Sequence, residues 1–513
     1  MRIHALTSRN PLSKSRYLAG RQCLKRLFLQ VRASGVVLDP DDDASAARMA
    51  SGREVGVLAQ GRHTGGVLID HGSKAHDEAV KETIAALMDP RVPAIFEGAF
   101  THMGVEIRVD LLVRMPRDNH WELHEVKSTK SVKDVHLDDL ALQVWVVRGV
   151  GVNLQRVGIL HLDGDYVRDE RGVDEQRLFR FADRTAWVYE RLAAVPGELG
   201  PMMEALRADR PPEVPTGGHC ARPYPCPYRT HCGLVPEAVS PTSVRNVPNG
   251  DKLVERARKL GIDDVRELPA DLVRSPKHKA AVKALASGVP HVSTRLASAM
   301  RALSYPLGFL DFETYAPMVP QHAGTRPMQT LPTQWSLHVL HADGRVEHRE
   351  FLHDGVTDPR PAFAASLLDA TAPCVTVLTY SHYEEARVIE LMADLPEHAP
   401  ALDALRGRVV DLMKLLQGHY YHPAFGRSYS LKRVAPVLAS SVRYDGLRVA
   451  NGMDAVVAYG RLHSAPLEER AELQRALLEY CAVDTRAMVE IWFALAAAAG
   501  VTLPSPRWPE VAR

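Results

Sequence analysis

The order of apolar and polar positions along the chain predicts three regions with different element content. Up to about residue 235, helical periods surround a middle part with apolar, β-branched strands. The next region favours helices, of which the clearest two are predicted over Lys252–Leu260 and Pro276–Ser287. From about residue 301 to 500, apolar strands alternate with helices, an order that is typical of an α/β layer fold.

Proline-rich stretches at residues 211–215 and 236–248 flank a group of cysteines and favour a boundary there. We therefore expect an N-terminal domain over 1–236, a helical connector over 237–300 and a C-terminal domain over 301–500. The sequence shows neither a secretory leader nor an apolar run long enough to span a membrane. We expect a cytoplasmic protein without a membrane partner.

The charge balance narrows the classes of function. The 513 residues carry a formal net charge of +1, and 46% of them are hydrophobic. A protein that passively coats nucleic acid needs a large positive surface, so the balance argues against that class. It does not exclude a nuclease, in which acidic residues hold metal ions and local basic grooves hold the strand.

A first acidic group lies on a predicted β-hairpin. Its strands are Val105–Met115 and Trp121–Lys127, with a polar turn between them. Folding the hairpin about its turn places Asp110 roughly opposite Val126, beside Glu125 and Lys127, which share one strand face. Two carboxylates can bind Mg²⁺ or Mn²⁺, and the lysine can orient the attacking water or offset phosphate charge. Downstream, Asp139 and Gln143 share one face of a predicted helix.

The order Asp110, Glu125-Val126-Lys127 and then Gln143 resembles the PD-(D/E)XK nucleases of the RecB type. The opening Tyr17–Phe28 resembles the start of the iron–sulfur branch of that group, which includes CRISPR-associated exonucleases and AddB helicase-nucleases. The resemblance implies a RecB-like nuclease domain over 1–236, with these residues at its centre and Asp110 and Glu125 as metal ligands. Many RecB-type members have a histidine ligand on the first core helix, whereas Gly52–Gln60 has none. Glu97 is a substitute candidate.

Cys220, Cys226 and Cys232 form a compact group with two five-residue gaps, and Cys23 is a candidate fourth ligand. In a reducing compartment such a group is more often a metal site than a disulfide framework. Zn²⁺ fits four thiolates, and neighbouring histidines can replace a cysteine. The resemblance implies instead a 4Fe–4S iron–sulfur cluster, because that branch places one cysteine before the nuclease core and three after it. Other members of that branch often have only two residues between two of these cysteines, whereas both gaps in this chain are five residues long.

A second acidic group begins on the apolar strand Leu307–Thr314, where Asp311 and Glu313 point to the same face. A second predicted strand ends near residue 380, and Glu384 follows at the start of a helix, with Glu385 and His382 as rivals. The set closes with two residues that share one face of a long predicted helix, Tyr480 and Asp484. Four converging carboxylates repel each other unless cations bind, and two divalent ions would also suit phosphodiester cleavage.

This order resembles the DnaQ-type, or DEDD, exonucleases, which have an RNase H-like fold. The resemblance implies that Asp311, Glu313, Glu384 and Asp484 bind metal ions and that Tyr480 positions the attacking water. The second motif departs from the family, which usually has Asp where this chain has Glu384.

Further segments resemble an uncharacterised domain that is often fused behind RecB-type nucleases; they are Gly324–Pro327, Gln334–His338, Ser430–Lys432 and Asn451-Gly452. The combined resemblances imply an α/β protein with a RecB-like nuclease domain and an RNase H-like domain. The expected function is metal-dependent trimming of nucleic-acid ends, with DNA favoured, in repair or in defence against foreign DNA. The alternative is a non-catalytic nucleic-acid-binding scaffold in which one or both centres are degenerate.

Overall fold

The computed structural model describes residues 2–3, 11–36, 38–39, 43–72, 75–116, 120–234 and 239–508. Within these ranges, residues 2–3, 34 and 43–51 are described by their backbone alone. The chain divides into two compact units. Unit 1 contains residues Met1–Pro236 and Pro317–Gln329, and unit 2 contains Glu237–Ala316 and Thr330–Arg513. Both units mix helices and strands, so the α/β class expected from the sequence is confirmed at this level.

The elements of unit 1 follow from the alternation of its apolar positions. Its strands are β1 (Arg2–Ile3), β2 (Leu12–Ser13), β3 (Ala33–Ser34), β4 (Val67–Leu68), β5 (Ala94–His102), β6 (Val105–Arg114), β7 (Trp121–Lys127), β8 (Leu154–Leu162) and β9 (Phe179–Asp183). Its helices are α1 (Lys14–Gln22), α2 (Leu24–Arg32), α3 (Asp43–Gly61), α4 (His76–Met88), α5 (Asp134–Gly149), α6 (Glu175–Leu178), α7 (Thr185–Arg191) and α8 (Val195–Arg207). The predicted hairpin is confirmed as β6 and β7.

One mixed sheet forms the centre of unit 1. The strands lie in the order β4-β5-β6-β7-β8-β9, and β2 also pairs with β6. Neighbours from β5 to β7 are antiparallel, whereas β7 and β8 are parallel. On β7, Trp121 and Leu123 pack in the same hydrophobic cluster as Leu140 and Val144 of α5. Because side chains alternate along a strand, the next two residues on that face lie toward α5 as well.

Unit 2 begins with the helices expected near residues 252 and 276. Its helices are α9 (Asp251–Lys259), α10 (Pro276–Ser287), α11 (Leu296–Arg301), α12 (Pro359–Thr371), α13 (Tyr383–Asp394), α14 (Ala399–Arg406), α15 (Leu412–His419), α16 (Leu431–Leu438), α17 (Gly452–Leu462) and α18 (Leu467–Ala498). Its strands are β10 (His291–Val292), β11 (Leu307–Tyr315), β12 (Leu331–Leu340), β13 (Val346–Leu352), β14 (Thr376–Thr379), β15 (Val409–Asp411) and β16 (Tyr420–Tyr421).

The main sheet of unit 2 has the order β13-β12-β11-β14-β15. The first three strands are antiparallel, and β11, β14 and β15 run parallel. Side chains of β11 alternate between the two faces. Phe309 lies 6.4 Å from Trp492 of α18, measured between ring centroids, and Phe312 lies 5.0 Å from Phe363 of α12. Odd-numbered residues of β11 therefore face α18.

The segment Pro317–Gln329 leaves the β11–β12 connection and belongs to unit 1. Within that unit, Arg168 and Thr325 are joined by a backbone hydrogen bond of 3.0 Å, and Val319 packs with Leu160 and Phe179. In the described part of the chain, no helix combines the length and the apolar character that crossing a membrane requires.

Candidate metal centres

The N-terminal acidic group assembles on β6, β7 and α5. Glu125 and Lys127 lie on the face of β7 that is directed toward α5, where Asp139 and Gln143 are placed one helical turn apart. Glu125 is 1% exposed and Gln143 is fully buried. The predicted neighbours are therefore brought together, because strand alternation and helical spacing act on the same side of the sheet.

Glu125 is held by three donors. Lys127 Nζ donates to Glu125 Oε1 at 2.5 Å, and Gln143 Nε2 donates to Glu125 Oε2 at 2.7 Å. The third donor is Lys14 Nζ, which lies 2.9 Å from Oε1 and 3.1 Å from Oε2. Lys127 Nζ also donates to Asp139 Oδ2 at 2.8 Å. Burial alone would raise the pKa of Glu125, but the two lysines and the hydrogen bonds hold that pKa well below its ordinary value.

Asp110 reaches the same group from β6. The backbone N–H of Val126 donates to Asp110 Oδ2 at 2.7 Å, as the predicted hairpin geometry requires. Burial and the neighbouring Glu125 carboxylate raise the pKa of Asp110 to about 8, although Lys14 and Lys127 act in the opposite direction. A bound cation would lower the pKa of a carboxyl group in this environment, because it favours the charged form of that group.

Glu97 lies on β5 in a left-handed backbone conformation with a φ of 55°. Strained positions of this kind persist where the surrounding structure fixes them. Burial raises the pKa of Glu97, and the charges that act on it are those of Lys14, Glu125 and Arg108. Glu97 is therefore electrostatically part of this group, which keeps it as a candidate ligand in place of the histidine that α3 lacks between residues 52 and 60.

The donor set of this centre fits a hard divalent cation. Its side-chain oxygens come from carboxylates, and Gln143 Oε1 is buried without a hydrogen-bond partner among the described residues. Its carboxyl groups are those of Glu97, Asp110, Glu125 and Asp139, and the two lysines do not prevent the pKa values of Glu97, Asp110 and Asp139 from being raised.

Cys23, Cys220, Cys226 and Cys232 line one small pocket in unit 1. The pocket joins the C-terminal end of α1 to the segment that follows α8, although almost 200 residues separate these parts of the sequence. The backbone N–H of Cys226 donates to the carbonyl of Cys220 at 2.8 Å, and His219 Nε2 lies 3.6 Å from Cys220 Sγ. All four cysteines are free thiols.

Four cysteine ligands suit two kinds of metal group. Zn²⁺ binds four thiolates in a tetrahedral site with Zn–S distances of about 2.3 Å, and iron–sulfur clusters are also held by four cysteine thiolates. Within the described ranges, no three of the cysteine sulfurs lie within 4.8 Å of one another. The donor set itself therefore fits both groups.

The C-terminal acidic group is built on β11 and α18. Asp311, Glu313 and Asp484 each offer a carboxylate oxygen, and these oxygens lie within 4.8 Å of one another. The two strand residues face α18 because they continue the alternation that turns Phe309 toward that helix. The sequence pattern thus placed the two elements correctly, and the structure brings their carboxylates together.

Glu384 supplies the fourth carboxylate from the first turn of α13. It is 3% exposed, and its Oε2 has no hydrogen-bond partner among the described residues. Its charge contributes to raising the pKa of both Asp311 and Glu313, so its carboxylate faces them. Of the two rivals, Glu385 forms a 4.0 Å ion pair with Arg406, and His382 lies at the N-cap position of α13 without a side-chain hydrogen bond to the helix. The geometry favours Glu384 over both.

Two tyrosines and a lysine surround Asp484. Tyr444 Oη donates to Asp484 Oδ1 at 2.5 Å, and Lys432 Nζ lies 3.6 Å from the same oxygen. The ammonium group of Lys432 lies 4.3 Å from the ring centroid of Tyr480 and 3.7 Å from that of Tyr444. Tyr480, the candidate that the sequence places four residues before Asp484, is 3% exposed, and burial and the Asp484 carboxylate raise the pKa of its phenol.

Burial and mutual repulsion govern the protonation of this group. Burial and the Asp484 carboxylate raise the pKa of Glu313 to about 8, and burial raises that of Glu384 to about 7. Burial and its three acidic neighbours raise the pKa of Asp311 well above its ordinary value. Lys432 acts to lower the pKa values of Glu313 and Asp484, but burial outweighs it and both values remain raised. The donor set therefore fits divalent cations, which would remove the repulsion.

Three contacts in these centres were missed by the sequence analysis. Lys14 lies 111 positions from Glu125 in the chain, and Tyr444 lies in an irregular segment between α16 and α17. Cys481 is fully buried, and its Sγ lies 3.4 Å from Asp311 Oδ2. No period or motif in the sequence marks any of the three.

Residues 308–430 match a family described as a domain of unknown function, DUF2779. The matched region contains Asp311, Glu313 and Glu384, and it ends before Lys432, Tyr480 and Asp484. No curated protein matches the chain.

Proposed function

We propose that the chain is a divalent-metal-dependent nuclease with two centres, acting on nucleic-acid ends and, by resemblance, on DNA. The observation that carries the proposal is the buried carboxylate group of unit 2. One carboxylate oxygen from each of Asp311, Glu313 and Asp484 lies within 4.8 Å of the other two. Glu384 Oε2 is also buried and has no hydrogen-bond partner among the described residues. Such a group is unfavourable without cations, and paired cations suit phosphodiester hydrolysis.

In the C-terminal centre, Asp311, Glu313, Glu384 and Asp484 would hold Mg²⁺ or Mn²⁺. When bound, such ions supply Lewis acidity to the phosphate and lower the pKa of water. Tyr480 would orient the attacking water. The strand order of the sheet is compatible with the RNase H-like fold that the DEDD resemblance implies. That resemblance also favours degradation from the 3′ end.

In the N-terminal centre, Asp110 and Glu125 would hold the metal. Gln143 orients Glu125 through the 2.7 Å hydrogen bond, and Lys127 places a positive charge beside the reacting phosphate. The β6–β7 hairpin with α5 supports the RecB-like interpretation, because it assembles the side chains that the resemblance named.

For the cysteine site we propose a 4Fe–4S cluster, with Zn²⁺ as the rival. Through the bound cluster, Cys23 at the end of α1 would be joined to the segment that carries Cys220, Cys226 and Cys232. Binding there would contribute to folding, because the ligands are distant in the chain. The four cysteines that line one pocket support a bound metal group, and the resemblance to the iron–sulfur branch favours the cluster.

The decisive experiment is a nuclease assay on single and double strands labelled at either end, with Mg²⁺ or Mn²⁺. Asp311→Asn should abolish the products of the C-terminal centre and retain those of the N-terminal one, and Lys127→Met should do the reverse. Glu385→Gln and Lys81→Met are matched controls, because Lys81 is exposed and the Glu385 side chain is 39% exposed.

Three outcomes separate the alternatives. Products that are unchanged by Asp311→Asn would show that the C-terminal centre does not cleave these substrates. Loss of all products in each of the two variants would contradict independent centres. Tight binding of labelled strands without cleavage under any metal condition would favour the non-catalytic scaffold.

A further inference from the structure

Both oxygens of Glu125 are fully engaged by donors. Oε1 accepts from Lys14 and Lys127, and Oε2 accepts from Lys14 and Gln143. A carboxylate offers about four lone-pair positions, so these contacts leave none for a metal ion. A cation can bind Glu125 only if one of the donors leaves.

The position of Lys14 differs from that of Lys127. The Lys127 ammonium bridges Glu125 and Asp139, at 2.5 and 2.8 Å. The Lys14 ammonium is 3.9 Å from Asp139, and its charge acts more strongly on Asp110 than that of Lys127 does. Its charge also acts on Glu97. Lys14 Nζ thus contacts both oxygens of Glu125 and lies 3.9 Å from Asp139, so it occupies a position at which a metal ion bound to Glu125 would lie.

The backbone that carries Lys14 is fixed, whereas its side chain reaches solvent. Within α1, Tyr17 Oη donates to Glu198 Oε2 at 2.5 Å, and Arg21 forms ion pairs with Glu198 at 2.7 Å and Asp138 at 3.2 Å. The Lys14 side chain is 26% exposed, although its ammonium group is surrounded by the buried carboxylates and is partly desolvated there. Its flexible stem can withdraw the ammonium group into water without any movement of the helix.

We propose that the Lys14 ammonium occupies the cation position of the N-terminal centre in the metal-free protein and that a divalent ion must displace it. Lys14 thus competes with the metal ion for the same carboxylate. In the metal-free protein its ammonium group compensates the negative charge of the buried carboxylates. The inference rests on the proposed metal-binding function of this centre and adds a residue that sets its metal affinity.

The test measures Mn²⁺ binding by paramagnetic resonance of the free ion, independently of any cleavage. The full chain carries Asp311→Asn and Asp484→Asn to remove the C-terminal group. In this background, Lys14→Met should bind Mn²⁺ about tenfold more tightly, because the metal no longer displaces charge-assisted hydrogen bonds. Lys14→Arg keeps the competing charge and should retain the original affinity or a weaker one. Lys81→Met, at an exposed position of α4, is the matched control.

The direction of the change in Mn²⁺ affinity shows whether Lys14 competes with the metal ion. A Lys14→Met protein that binds Mn²⁺ with equal or lower affinity would show that Lys14 supports Glu125 and does not compete with the metal. Lys14→Gln repeats the measurement if the methionine variant fails to fold. If the background protein and its Lys14 variants all leave Mn²⁺ free, the proposed metal function of this centre fails, and the inference fails with it. If the background protein binds Mn²⁺ and Asp110→Asn abolishes that binding, the function stands whatever the lysine does.

Discussion

Replacing Glu384 by glutamine should stabilise unit 2 in the metal-free protein at alkaline pH. Burial raises the pKa of this carboxyl group from 4.5 to about 7. Each pKa unit is equivalent to about 1.4 kcal/mol, so ionised Glu384 destabilises the fold by up to roughly 3 kcal/mol. The substitution Glu384→Gln removes the ionisation and keeps the shape of the side chain.

The pH dependence of this effect has a definite sign. Below pH 4.5 the group is protonated in both folded and unfolded chains, and it contributes no destabilisation. Between pH 4.5 and about 7 the unfolded chain releases the proton while the folded chain retains it, so stability falls as pH rises. Above about pH 7 the full destabilisation is present. Glu384→Gln should therefore stabilise the protein at pH 8 and leave its stability nearly unchanged at pH 4.5.

The measurement is thermal unfolding of the metal-free full chain at the two pH values, followed by addition of Mg²⁺ or Mn²⁺. For a unit of this size, 1 kcal/mol corresponds to about 2–4 °C in Tm. The matched control is Glu385→Gln, because the Glu385 side chain is partly exposed on the same helix and pairs with Arg406. Metal should stabilise the wild-type unit more than the Glu384→Gln unit. An equal rise in Tm for both glutamine variants at pH 8, or an equal response to metal, would refute the electrostatic reasoning.

Three further predictions concern the cysteine site, the substrate and Asp484. Protein purified without oxygen should be brown, with iron and acid-labile sulfide that Cys226→Ser removes; stoichiometric zinc without iron would contradict the cluster. Affinity for labelled strands should fall between low and moderate salt despite the net charge of +1, because lysine and arginine contacts to phosphate release counterions; affinity independent of salt would exclude this mode of binding. Tyr444→Phe removes the 2.5 Å hydrogen bond to Asp484 and should lower cleavage by the C-terminal centre about tenfold, measured with Lys127→Met as background; unchanged cleavage would show that Tyr444 only fills space.

Local periodicity explains which parts of the centres the sequence predicted. Glu125 and Lys127 share a strand face, and Asp139 and Gln143 share a helix face, so the two rules predicted these positions without knowledge of the fold. The predicted helix over Pro276–Ser287 has the bounds observed, because its start carries a proline and its end is followed by a glycine.

Strand alternation and helical spacing do not predict contacts between elements that are distant in the chain. Lys14 approaches Glu125 because β2 pairs with β6 and thereby directs α1 toward β7. Tyr444 contacts Asp484 from a segment that is neither helix nor strand, so no helical or strand periodicity predicts the direction of its side chain. The choice among His382, Glu384 and Glu385 needed the actual direction of the first turn of α13, since residues one or two positions apart point to different sides of a helix.

The two centres counter carboxylate repulsion in different ways. In unit 1, two ammonium groups donate directly to Glu125 and hold its pKa below the ordinary value, although the pKa values of Asp110, Asp139 and Glu97 are raised. In unit 2, Lys432 is 3.6 Å from Asp484, and the pKa values of all four carboxylates are raised. Internal lysines thus offset much of the charge in the first centre, whereas the second depends on protons or on bound cations. Because protons are scarce above pH 7, a chelator should destabilise unit 2 there more than unit 1, and the N-terminal centre should tolerate metal depletion because Lys14 substitutes for the missing charge.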